Sequence, residues 1–211
     1  MATAKLQIPA NSPTTLHANV VAPEGYETPE TLSERGRWLR TAEKNESDAI
    51  ARAQYARAVV AFDVYTLHLV KGANLTRTSE ALDLRNPDTG KELRGTSVTR
   101  LALLGYAVSH GVTDTKGIRT AINTAMNTRK HSPQTVIGII SAWSENEKRS
   151  DRSLYSALTA GPDKTEMEML KATLERILKG VGNAGTYSVD WDAECETLYA
   201  AIVEGVGSIR D

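Results

Sequence analysis

SDAIARAQYARAVVAFDVYTLHLVKG, residues 47–72, is the stretch that decides the fold. Its apolar residues, from Ile50 to Val70, recur at three- and four-residue steps, which is the pattern of a helix with one buried face. Gly72 is a residue type that commonly ends a helix. Arg57 and Asp63 interrupt the apolar run, and each would cost roughly 2.5–3.5 kcal/mol at the centre of a bilayer. The stretch therefore predicts a helix in the core and not a membrane span.

The segments around this stretch are helical in pattern too, and few of them alternate polar and apolar residues as a strand does. Alanine and leucine, which favour helix, are abundant, whereas aromatic residues make up only 5% of the chain. Further helices are expected from Pro29 onward and at about residues 96–110, 115–128, 132–146, 151–159, 164–179 and 190–206. We therefore predict an all-α fold of seven or eight helices.

Residues 1–28 lack any apolar periodicity. They contain Pro9, Pro13 and Pro23 among Asn, Ser, Thr and Gly residues. Proline has no backbone N–H to donate, so clusters of this kind interrupt regular structure. We predict that residues 1–28 form an extended, disordered arm.

Charge is distributed unevenly along the chain, although the net charge is only −1. Residues 29–149 hold 18 Lys and Arg against 13 Asp and Glu, whereas residues 150–211 hold 6 against 11. Such asymmetry suggests one part that faces nucleic acid and another with a different partner. We predict a basic helical DNA-binding region at 29–149 and an acidic helical region for oligomerisation or partner binding at 150–211.

The stretch from Leu75 to Leu104 carries the most specific functional pattern. Ala81 is a small residue in a first helix, and Leu84 follows it as an apolar anchor. Two further apolar residues three apart, Val98 and Leu101, would hold a second helix against the first. This pattern resembles helix-turn-helix DNA-binding proteins of phage or plasmid style, over about thirty residues. The alternative is a pair of helices in a bundle, since the connection of about eleven residues exceeds the usual three or four and would have to contain a tight turn or small hairpin.

The resemblance implies which side chains would meet DNA. Residues between the two anchors of the second helix would face the major groove, with cations just before them on the phosphates. The implied DNA-binding residues are Lys91, Arg94, Ser97, Thr99 and Arg100.

A second basic group lies in the turn TRKHS, residues 128–132. Arg129 and Lys130 precede a helix whose N-terminus already attracts anions, so a phosphate is a suitable partner. We add both residues to the candidate DNA-binding set. The alternative is a solvated polar loop. A third basic group, Arg35, Arg37, Arg40 and Lys44, could extend the same electrostatic footprint.

The chain shows no signature of an enzyme, a metal site or a cofactor. The single cysteine, Cys195, rules out an internal disulfide and a cysteine-cluster metal site. The four histidines lie far apart, with no His-x-x-x-His pair. The glycines of residues 180–185 lack the Gly-Lys-Ser/Thr ending of a phosphate loop. The N-terminal residues lack the long apolar run of a signal peptide, so we expect the cytoplasm, or the host cytoplasm if the protein is viral.

Double-stranded DNA is the partner that these patterns favour. We expect a non-enzymatic DNA-binding protein, either a transcription regulator of phage or plasmid type or a DNA-recognition subunit. The amphipathic segments of residues 163–206 would form a homo-oligomer or hold a protein partner. The alternative function is that of a helical adaptor or assembly protein acting through protein–protein contacts.

Overall fold

The computed structural model describes residues 6–47, 49–86 and 88–160. Within these ranges the protein is all-α, with seven helices and no β-strand, as expected. The helices are α1 (Leu32–Lys44), α2 (Ile50–Tyr65), α3 (Leu75–Ala81), α4 (Thr96–Ser109), α5 (Thr115–Asn127), α6 (Pro133–Ser144) and α7 (Asp151–Thr159). A π-helical segment, Thr66–Val70, continues α2 as far as the predicted stop, where Gly72 has a φ of +73°. The predicted helices at 164–179 and 190–206 lie outside the described residues, as does Cys195.

Side-chain caps fix the start of four helices. Asn74, Asp114, Ser132 and Ser150 each accept a hydrogen bond from a backbone N–H in the first turn of α3, α5, α6 and α7. The predicted cap at Ser132 is confirmed. The predicted start near Pro29 is three residues early, because α1 begins at Leu32.

Helix α4 lies at the centre of the bundle and contacts α2, α3, α5 and α6. All of residues 101–109 are buried, which leaves only the first turn of this helix near the surface. Helices α4 and α2 approach closely at Gly105, where an added Cβ would collide with the carbonyl group of Ala61 in α2. A glycine is required here because the two backbones approach too closely for a side chain.

The described part of the arm has no helix, as predicted, and it is packed against the helices. The backbone N–H of Gln7 donates to Oε1 of Gln134 at 3.0 Å, and Nε2 of Gln134 donates back to the Gln7 carbonyl at 2.9 Å. The hydroxyl of Tyr65 donates to the carbonyl of Pro13 at 2.9 Å. Because these are contacts with α6 and α2, the described part of the arm lies on the helical body and not free in solvent.

The chain divides into two units after Pro162, and all of the described residues belong to the first of them. The predicted division into a basic region at 29–149 and an acidic region at 150–211 stays a prediction. Leu154 and Leu158 of α7 are fully buried in the core cluster, and α7 packs against α5 and α6. Apolar burial thus places α7 with the basic helices.

Candidate nucleic-acid interface

The two predicted anchors of α4 point inward. Val98 and Leu101 are buried, at 0% and 4% exposure, together with Leu84. Thr99, however, is only 8% exposed, and its hydroxyl donates to the carbonyl of Gly95 at 3.3 Å. The prediction that Thr99 faces solvent is therefore wrong, because neighbouring helices surround α4 on that side as well. Of the three side chains expected to face a groove, only Ser97 and Arg100 remain partly exposed.

The packing between α3 and α4 differs from the expected helix-turn-helix contact. Ala81, the small residue expected to receive the second helix, is exposed, whereas Ser79 is fully buried. The Ser79 hydroxyl donates to the carbonyl of Leu93 in the connection between the helices. The prediction for Ala81 is therefore wrong, because the long connection, and not α4 alone, packs against α3.

The connection between α3 and α4 contains the small hairpin that its turn residues indicate. An antiparallel bridge joins Arg85 to Glu92, and the Asn86 N–H donates to the Lys91 carbonyl at 2.7 Å. We call residues 85, 86 and 88–94 the hairpin. Two predicted DNA-binding residues, Lys91 and Arg94, are exposed on it. Arg94 is paired with Glu92 at 2.7 Å, whereas Lys91 has no ion-pair partner among the described residues.

The two cations of the turn after α5 differ in their surroundings. The guanidinium of Arg129 donates through Nε to the Thr159 carbonyl at 3.0 Å, at the end of α7. A cation in this position is favourable for the carbonyl end of a helix, so Arg129 also has a structural role. Lys130 is exposed, has a φ of +59° and pairs with no carboxylate in the described part of the chain.

Arg100 connects the hairpin side of the molecule with the end of α5. Its Nη2 donates to Oδ1 of Asn127, the last residue of α5 and two residues before Arg129. Its side chain also lines a cleft together with Arg85 and Leu93 of the hairpin. Arg100 thus lies beside the hairpin and is bonded to the end of α5, just before the turn that carries Arg129 and Lys130.

The cleft beside Arg100 contains cations that the sequence did not single out. It encloses about 140 Å³ between α1, the hairpin, α4 and α5. Four arginines line it, Arg40, Arg85, Arg100 and Arg119, together with Ser97, Asn86, Asn123 and Glu43. We call this the arginine cleft. Arg40 belongs to the third predicted basic group, whereas Arg85 and Arg119 were missed.

The sequence contained a signal for the α5 wall of this cleft. Arg119, Asn123 and Asn127 follow one another at four-residue steps and so share one face of a helix. The buried residues Ile118 and Ile122 lie on another face of α5. Polar residues with this spacing predict an exposed face, but only the fold places that face opposite α1 and beside Arg100.

The carboxylates near the cleft are each shared between two cations. Asp83 contacts Arg85 at 2.7 Å and Arg40 at 3.5 Å. Glu43 accepts hydrogen bonds from Arg119 and from Arg57, which is 2% exposed. Because four arginines line the cleft beside Glu43 and the neighbouring Asp83, positive charge exceeds negative charge there.

Arg100 is the lining arginine without a carboxylate partner among the described residues. Its Nε is buried and has no hydrogen-bond partner there either. Leaving a buried donor unsatisfied costs about 1–3 kcal/mol, and more when the group is charged. Unsatisfied buried donors reduce the stability of the fold, and features of this kind occur at functional sites.

Two other features, a metal-binding cluster and a membrane span, are not found among the described residues. No group of three or more His, Cys, Asp or Glu side chains in this part of the chain is arranged to hold a metal ion. None of the helices described is long and apolar enough to cross a membrane. The predicted partner-binding segments at 163–206 lie outside the described residues.

Comparison with known proteins finds no relative of this chain. No protein-family model matches the chain, and neither a curated protein nor a solved structure matches it significantly.

Proposed function

We propose that this protein binds double-stranded DNA without catalysing a reaction, and that it holds the duplex mainly through backbone phosphates. The proposed surface consists of the hairpin with Lys91 and Arg94, the first turn of α4 with Ser97 and Arg100, and the turn with Arg129 and Lys130. The observation that supports it best is the position of Arg100, between two basic segments that are far apart in sequence.

The burial of α4 changes how DNA would approach. A recognition helix lies in the major groove and contacts base edges with its N-terminal residues, but residues 101–109 of α4 are buried. In the mode we propose, the exposed hairpin meets the groove and the first turn of α4 contacts the phosphates. Thr99 is omitted from this surface. The role we propose remains that of a phage- or plasmid-type regulator or a DNA-recognition subunit.

Substitution of two lysines gives the sharpest test of this proposal, because neither lysine forms an ion pair with a carboxylate among the described residues. Lys91 is exposed on the hairpin and Lys130 in the turn after α5, and neither pairs with an acid in the described part of the chain. Each phosphate that a lysine neutralises releases bound counterions, which favours binding. Lys148 and Arg152 are also exposed. Lys148 lies just before α7 and Arg152 lies in its first turn, and α7 does not line the cleft.

The experiment compares two double variants by fluorescence anisotropy with a labelled 30-base-pair duplex at low salt. We expect Lys91→Gln with Lys130→Gln to weaken binding at least tenfold, while Lys148→Gln with Arg152→Gln changes it less than twofold. The proposal is wrong if the unaltered protein retains no duplex, or if both double variants bind as it does. The first of these results would favour the helical adaptor acting through protein contacts.

A further inference from the structure

The arginine cleft is a concave site that an extended duplex surface would not fill. Its volume of about 140 Å³ is well above the ~10–15 Å³ that one water molecule requires. A single tetrahedral oxyanion fits a space of this size, whereas a base pair does not. The walls come from four separate elements, α1, the hairpin, α4 and α5, so the site exists only in the folded chain.

The lining residues are chemically suited to an anion. Arginine presents a planar fork of N–H donors that matches a phosphate or carboxylate, and four arginines line this cleft. The two nearby carboxylates do not balance four arginines, because Asp83 is shared by Arg40 and Arg85, and Arg100 has no carboxylate partner among the described residues.

Three lining side chains keep hydrogen-bonding capacity for a ligand. Arg100 has a buried Nε with no partner among the described residues. The side chains of Ser97 and Asn123 also line the cleft, and neither forms a hydrogen bond within the described part of the molecule. A hydroxyl, an amide and a guanidinium are all able to donate to phosphate oxygens.

We propose that the arginine cleft binds one phosphate group, with Arg100 and Arg119 as its principal ligands and Ser97 and Asn123 as neutral donors. Phosphate satisfies this site better than a carboxylate because it offers more acceptor oxygens to donors on several walls. The group can come from a free phosphorylated small molecule or from the DNA backbone. Only the second source depends on the function proposed above.

The test is isothermal titration of the full chain with inorganic phosphate, with chloride adjusted to keep the ionic strength constant. We expect saturable binding, weakened at least tenfold by Arg100→Gln and by Arg119→Gln. Arg152→Gln removes the same charge from α7 and should change the affinity less than twofold. Absence of phosphate binding in the unaltered protein, or an equal loss in Arg152→Gln, would overturn the proposal.

A conservative variant separates the site from general charge and from misfolding. Arg100→Lys keeps the positive charge but loses the planar fork, so we expect weaker phosphate binding with an unchanged circular dichroism spectrum. Phosphate affinity equal to that of the unaltered protein would mean that charge alone attracts the ion, contrary to a built site.

Competition with the labelled duplex identifies the source of the phosphate. Displacement of the duplex by inorganic phosphate at constant ionic strength would assign the cleft to the DNA backbone. Simultaneous binding of both would assign it to a free phosphorylated molecule. Phosphate binding in a protein that retains no duplex would leave the cleft assignment standing and overturn only the proposed DNA binding.

Discussion

Arg100 in α4 donates a hydrogen bond to Asn127 at the end of α5, and this bond joins two segments that are 27 residues apart. A neutral amide, and not a carboxylate, therefore holds the guanidinium of Arg100. The positive charge of Arg100 remains available to a ligand, while its position is fixed between the hairpin and the turn after α5. The proposals for DNA and for phosphate both depend on this relationship.

Substitution of Arg100 by methionine should have little effect on stability. The change removes one hydrogen bond to Asn127, but it also removes an unsatisfied buried donor, and these effects oppose each other. We expect the free energy of unfolding in urea to stay within about 1 kcal/mol of the unaltered protein. A loss of several kcal/mol would show that Arg100 serves mainly to hold the fold together.

Substitution of Arg57 by methionine should be far more damaging. Arg57 is 2% exposed and donates to Glu43 at 3.1 Å, to Glu46 at 3.3 Å and to Thr115 at 3.2 Å. Breaking a buried ion pair by removing one partner costs about 3–5 kcal/mol, because the other charges remain desolvated. We expect a loss near the lower end of this range in urea unfolding, since Arg119 still contacts Glu43. Arg152→Met, which removes an exposed arginine, is the control. A loss of stability in Arg57→Met as small as that in Arg152→Met would refute the structural role of Arg57.

Two glycine substitutions test the packing of α2 against α4. Gly105→Ala places a Cβ against the backbone of Ala61, which cannot move as a side chain could. Overpacking of this kind costs about 1–3 kcal/mol and occasionally more. Gly138→Ala in α6 meets nothing within 4 Å and should stabilise the protein by about 0.5–1 kcal/mol. Thermal unfolding should separate the two variants, and equal melting temperatures would contradict the packing described.

Acid should destabilise the protein through His110. Burial lowers the pKa of this histidine, and Arg149 and His17 lower it further. Its ring packs edge-on against Tyr106, and its Nε2 is buried with no partner among the described residues. As the pH falls, the unfolded chain binds this proton at a higher pH than the folded protein does. The contribution of His110 to the free energy of unfolding is therefore complete above about pH 6.5. It is lost as the pH falls from there through the lower pKa of the folded state.

Unfolding free energies in urea at pH 7.5 and pH 5.5 provide the measurement for His110. His110→Gln should reduce the loss of stability between these values, whereas His131→Gln, in the turn after α5, should leave the contribution of His110 intact. An identical loss in His110→Gln and in the unaltered protein would exclude His110 as its source.

The helices were predictable because their apolar residues have a local period and their caps are local. Ser132 and Pro133 mark the start of α6 in the sequence, and α6 begins there. The burial of Thr99 was not predictable in this way, since it depends on which helices surround α4. The same holds for the cleft, because Arg40, Arg85 and Arg119 come from three separate segments that only tertiary packing brings together.

The salt dependence of duplex binding tests the central claim most directly. If Arg100 neutralises a phosphate of DNA, a plot of log K against log salt concentration should be shallower by about 0.9 for Arg100→Gln than for the unaltered protein. Arg152→Gln should retain the original slope. An unchanged slope for Arg100→Gln, in a protein that still folds, would contradict the account.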